Sequence, residues 1–317
     1  MKKRYLIPTF IILSIVSLFI GVHDISIKDI FLGDSEKISV FWISRVPRLI
    51  SLIVAGVGLS ISGVIMQQIS NNKFISPTTS ATIDSAKFGV LVSMILFSSA
   101  SLTQKMIVAF IFALLGTFIF MKIMKVVKFK NIIFIPLVGI MLGNVIGAIT
   151  DFFAYRFDLM QNMSSFMQGN FSSVLRGNYE MLYLTIPLVI IAFIYANKFT
   201  IIGMGEDISK NLGLNFEKIA NIGMVIVSLI TVLVIITVGS IPFVGLIIPN
   251  IVSIFMGDNL NKSIWNVSLF GAVFLLICDI ASRVIIFPYE IPISLTVGVI
   301  GSIVFLYLIY RRNTNEG

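Results

Sequence analysis

The sequence predicts an all-α membrane protein, a bundle of about ten transmembrane helices forming a single domain over residues 1–317. Three observations carry this reading. The composition is 57% hydrophobic and 12% charged, where a soluble domain holds roughly 25% charged residues. Apolar runs nearly free of charge follow one another along the chain, and several reach the roughly 20 residues that a helix needs to cross about 30 Å of hydrocarbon. Within these runs polar and apolar residues do not alternate, as the strands of a membrane barrel require.

The first expected span, residues 5–21, follows Lys2, Lys3 and Arg4. A basic start before an apolar run also marks a signal peptide, but no small-residue cleavage site follows, so an uncleaved span with a cytoplasmic N-terminus is expected. The second span, 46–69, opens on Arg45-Val-Pro-Arg48. Pro47 suits a helix start, because its missing N–H falls among donors that have no helical partner. Taken alone, the two arginines read as snorkelling anchors at the outer surface. Gly56, Ser60 and Gly63 then allow another helix to pack closely. Residues 71–89, rich in small polar side chains and containing Pro77, break the apolar pattern. They read either as a cytoplasmic loop or as irregular backbone buried in protein or lining a wet cavity.

A short third span (86–100) and a fourth (106–125) precede the fifth (131–152). There Gly139, Gly143 and Gly147 share one face at i, i+4 and i+8, a surface for close helix approach. Asn144 and Thr150 are candidates for a polar passage. Over 161–176, Met163, Phe166, Met167, Phe171 and Val174 recur at spacings of three and four, predicting a short amphipathic helix at the outer surface; an extended loop is the alternative. The sixth span (181–197) leads into a cytoplasmic loop, 198–218. Glu206 and Asp207 suit the first turn of a short helix there, Lys210 its last turn and Gly213 a C-terminal cap. Such a knob reads as a docking element for a soluble partner or as a structured connection. Four spans remain: 219–239, a short 243–256, 265–286 and 293–311. Pro242, Pro249 and Pro292 imply kinks, and Asp279 and Arg283, at i and i+4, can pair.

The proposed cytoplasmic segments hold 15 Lys and Arg, including Lys73, Lys87 and the cluster Lys122, Lys125, Lys128 and Lys130, against 8 outside. That bias is the positive-inside pattern and accounts for the basic net charge without nucleic acid. An intramembrane enzyme is disfavoured. His23 is the only histidine, no H-E-x-x-H motif exists, and an aspartyl pair from Asp84, Asp151 and Asp279 would draw on residues near opposite faces. No P-loop, metal-ligand cluster or cofactor motif is present, so ATP is hydrolysed by a partner if at all. An ion-coupled secondary transporter is the stronger rival, although the ionisable residues gather at span ends rather than at the midplane.

Read in order, RVPR, GLSISGVIMQQ, NNKFISP, FMQGNFSSV, GEDISKNLG, GSIPFVGLIIPN, DIASR and EIPISLTVG resemble the motifs of FecCD-type permeases of ABC importers for iron chelates and cobalamin. The resemblance spans nearly the whole chain. Asn250 replaces a common histidine, Ser253 a frequent arginine, Ser294 a common glycine and Ser209 a usual alanine. It implies a type II ABC importer permease fold and transport of a ferric siderophore, with haem or cobalamin as alternatives and the iron passing as its chelate. It also implies a second permease, identical or related, two ABC ATPase subunits and an extracellular substrate-binding lipoprotein. Arg45, Arg48 and Arg283 match positions that receive carboxylates of that lipoprotein. Gly205, Glu206, Asp207, Lys210, Asn211, Leu212 and Gly213 match the ATPase coupling element. Lys130 and Asn131, in the 126–133 turn, are expected with Asn144 and Thr150 along the path or its gate.

Overall fold

The computed structural model describes residues 3–21, 35–97, 101–126 and 134–315. Among them the chain is helical: α1 (Lys3–Phe19), α2 (Ser35–Ser70), α3 (Thr82–Leu96), α4 (Leu102–Val126), α5 (Phe134–Arg156), α6 (Met160–Met167), α7 (Thr185–Ile202), α8 (Glu206–Asn211), α9 (Phe216–Val238), α10 (Val244–Met256), α11 (Leu260–Val284) and α12 (Ile293–Asn315). Each expected span overlaps one of these helices. Six of them (α2, α4, α5, α9, α11 and the segment Glu180–Ile202) are long and apolar enough to cross a membrane.

Helix α2 is the axis of the bundle, packed against α7, α9, α10 and α11. Its small residues are the reason. A Cβ at Gly56 would lie 2.6 Å from the Gly271 carbonyl oxygen, and one at Gly63 only 1.8 Å from that of Gly245, so backbone meets backbone at both crossings. The helix does not begin at Pro47 as expected. It runs on upstream through a π turn, Phe41–Arg45, in which the Val46 N–H reaches back to Phe41 O. The widened turn accommodates a proline that cannot donate.

Residues 71–81 are not a surface loop. Ile75, Ser76 and Ser80 have no exposure, and Ala81 is held at φ +60. The segment re-enters the bundle, and its backbone is met by side chains: Asn250 Nδ2 donates to Lys73 O at 2.8 Å. Hydroxyl groups satisfy one another beneath it, with Thr82 Oγ1 2.8 Å from Thr117 Oγ1, as buried polar groups must. The break between α9 and α10 is likewise enclosed. Gly239 lies at φ +80, Phe243 at φ +64, and the Ser240 N–H donates to Met167 O at 3.0 Å. That bond corrects the expectation for 161–176. The helix stops at Met167, and the chain turns inward so that Met163, Phe171 and Val174 are all buried.

Candidate functional site

Three constellations stand out, at the two ends of the bundle and along one seam. At one end, Arg45, Arg48 and Arg283 come together from α2 and α11, as the resemblance implied, but as buried groups. Arg48 donates through Nε and Nη2 to Asp279 Oδ1, at 3.1 and 2.8 Å, and through Nη1 to Glu290 Oε2 at 2.7 Å. Arg283 bonds the other oxygen of Asp279 and donates to Ser17 Oγ at 2.7 Å and to the Ser17 and Ile20 carbonyls at 2.9 and 2.7 Å. Arg45 Nη1 donates to the same Ile20 carbonyl at 2.6 Å. Asp279 has no exposure, while Arg283, Arg48 and Arg45 keep 2%, 6% and 7%. The cluster thus ties α1, α2 and α11 to the stretch before α12. The sequence showed the Asp279–Arg283 pair by its spacing; the roles of Glu290 and of the α1 carbonyls carry no local signal.

At the opposite end, α8 stands out from the bundle as the sequence predicted. Gly205 at φ +110 precedes it and Gly213 at φ +76 follows it, both conformations that favour glycine. Glu206 and Asp207 occupy the first turn, and Lys210 pairs with Glu206 at 2.9 Å. That hydrogen bond holds the Lys210 ammonium above the ordinary lysine range. Ser209, in the place of the usual alanine, is fully buried and clips the helix down, its Oγ 2.7 Å from Gly205 O and 3.1 Å from Ile201 O. Asn211 is exposed, and Ile208 and Leu212 expose 47% and 60% of their surfaces. The knob therefore offers apolar side chains ringed by charge. Near it, Ser253 and Asn250 find a use: Lys73 Nζ reaches Ser253 Oγ at 3.1 Å and Asp258 Oδ1 at 2.8 Å, locking the re-entrant segment to α10.

The third constellation lies between α3 and α5. Gly139 and Gly143 let α5 close on the neighbouring segment: a Cβ at Gly139 would lie 2.0 Å from Thr79 O, and one at Gly143 2.3 Å from Asp84 Oδ2. Gly147 has open space instead. Further along, Lys87 Nζ bonds Asp151 Oδ1 at 2.7 Å. This corrects two expectations. Lys87, expected inside, and Asp151, expected outside, lie together on one side of the bundle, and Asp84 and Asp151 share one seam rather than opposite faces. Of the passage candidates, Asn144 is exposed, whereas Thr150 has no exposure and bonds Ile146 O at 2.7 Å, which turns it into the protein. Lys130 and Asn131 lie outside the described residues.

Comparison with known proteins places this geometry. The model of the FecCD transport family matches residues 9–311. The chain is 59% identical over 312 residues to the petrobactin import system permease protein YclN of Bacillus subtilis, covering 98% of this chain and 99% of that one. It is 37% identical to the ferric-anguibactin transport system permease protein FatD of Vibrio anguillarum, over 96% and 98% of the two chains. A metal-chelate type ABC transporter solved in an inward-facing conformation superposes with a TM-score of 0.79 at 22% identity, covering 96% of this chain and 97% of that one.

Proposed function

The chain belongs to the FecCD transport family, and from that premise we infer that it is the membrane-spanning permease subunit of an ABC importer carrying a ferric siderophore, with ferric petrobactin as its cargo. The observation that carries the cargo class is the 59% identity, over nearly the full length of both chains, to a petrobactin import permease. Such a permease works with an ATPase, a substrate-binding protein and a second permease chain. We assign two ATPase subunits to the cytoplasmic end, where Ile208, Leu212 and the Glu206–Lys210 pair form the contact. A binding lipoprotein docks at the outer end, and both termini of this chain face the cytoplasm. Because Arg48 and Arg283 already hold Asp279 and Glu290, the docking role of Arg45, Arg48 and Arg283 is that of a unit. The three guanidinium groups, held in one place, orient the approach of acidic groups on the lipoprotein.

The test is uptake of radioactive iron by cells with and without this chain, supplied as ferric petrobactin, other ferric siderophores and haem, with labelled cobalamin in parallel. Loss of ferric petrobactin uptake alone, restored by the intact gene, is the expected result. Loss confined to a different chelate would replace petrobactin and leave the importer reading in place.

A further inference from the structure

Resting on that reading, we propose that Lys87 is a cargo-contacting residue of the translocation passage, presenting its ammonium to anionic oxygens of the ferric chelate and masked at rest by Asp151. Asp151 lies about 7 Å inside the Arg156 end of α5, at ~1.5 Å per residue. Lys87 sits five residues past the start of α3. Neither is at a helix end.

Lipid is a poor neighbour for this pair. Side-chain exposure is 23% for Lys87 and 53% for Asp151, and an exposed ion pair among hydrocarbon chains is costly, whereas such residues recur on the walls of cavities and substrate paths. The open side of α5 supports this. Asn144 and Asp151, seven residues apart and so on nearly the same line of the helix, are both exposed, with Gly147 open between them. Two polar side chains thus stand in line on an otherwise apolar open face of the helix.

The chemistry of the cargo matches the ammonium. Iron(III) is a hard cation held through oxygen donors, several of them anionic in siderophores, and a lysine head is a compact charge with three donors for such oxygens. Asp84 explains how Lys87 can exchange partners. It stands one turn earlier on α3, set against the backbone of α5 in the space that Gly143 leaves, so that when cargo displaces Asp151 a second carboxyl group stays within one turn of Lys87.

The experiment uses vesicles holding the complete importer, with initial uptake of radioactive ferric petrobactin and ATP hydrolysis stimulated by the binding protein measured side by side. The double variant Lys87→Gln/Asp151→Asn removes the pair without stranding either charge. It is expected to insert in normal amount and hydrolyse ATP while losing uptake by about tenfold or more. Asp151→Asn alone unmasks the ammonium and is expected to keep uptake with a lower KM, and Lys87→Arg is expected to retain most of it. Uptake by the double variant within about twofold of the parent, or an equal loss in Asp151→Asn, would overturn the proposal and make the pair an interhelical strut. A parent importer that carries no ferric petrobactin would count against the cargo assignment instead, and the same variants are then measured with the ferric chelate it does carry.

Discussion

Asp279 accepts hydrogen bonds from two arginines on two different helices, and it has no contact with solvent. Removing either arginine leaves one oxygen of a buried carboxylate unpaired, and neutralising the carboxylate strands two buried guanidinium groups; either change costs more than the pairs contribute by existing. Arg48→Ala and Asp279→Asn are expected to destabilise the folded permease by about 3–5 kcal/mol each, seen as a lower unfolding temperature of the detergent-solubilised protein. Arg48→Lys is expected to recover only part of the loss, because a single ammonium cannot reach Asp279 and Glu290 in the forked geometry of a guanidinium. An unchanged unfolding temperature together with lost affinity for the binding protein would show these groups to be direct docking contacts instead. The sequence made half of this visible. Asp279 and Arg283 meet because four residues make about one helical turn, whereas Arg48 lies 231 positions from Asp279, and only the crossing of α2 with α11 brings them together.

That crossing belongs to the elements, and it depends on glycine. Gly56→Val would drive a side chain into the Gly271 carbonyl, 2.6 Å from the position of a Cβ. The two helices must then separate, and the expected loss is about 1–3 kcal/mol or more, read as reduced folded yield and unfolding temperature. Gly147→Ala meets nothing within 4 Å in the chain and is expected to leave stability unchanged, although the sequence grouped it with Gly139 and Gly143 on one face. Periodicity located the face; it did not show where along α5 the neighbour ends. The knob at α8 was more legible, because its caps and charges are local signals. Its contribution to assembly is expected to reside in Ile208 and Leu212, so Leu212→Asp should reduce co-purified ATPase by about tenfold while the permease stays folded. ATPase retained in full, with normal transport, would remove the coupling role from this helix. Ser209→Ala removes one clip of about 1 kcal/mol and is expected to loosen coupling with milder effect.

For the whole molecule, the hydrophobic runs determined the helices well, since every expected span overlaps one. The segments that the runs could not place were the polar ones, 71–81 and 168–178, because irregular backbone reads alike in a loop and in a buried turn until its partners are known. The same blindness placed Lys87 on the side away from Asp151. Its removal from the count does not weaken the topology, because the remaining evidence is collective. The Leu260 N–H donates to Thr200 Oγ1, and Gly203 packs against Gln68, so the C-terminal ends of α2 and α7 and the N-terminal end of α11 share one side of the bundle. Lys73, Lys198 and Lys262 gather there, with Lys210 and Lys218 on the adjoining loop. The arginine cluster closes the other side, where its charge is largely cancelled by Asp279 and Glu290. A lysine-rich end is the one that the positive-inside rule turns inward, which is the orientation proposed for this bundle. Cys278 is buried, so its replacement by Ser gives a background for single reporter cysteines at exposed sites. In intact cells a cysteine at Gly177 is expected to react with a membrane-impermeant maleimide, and one at Leu212 only after the cells are opened. The reverse pattern would invert the bundle, placing the ATPase knob outside and the arginine cluster inside, and no ABC importer could operate through it.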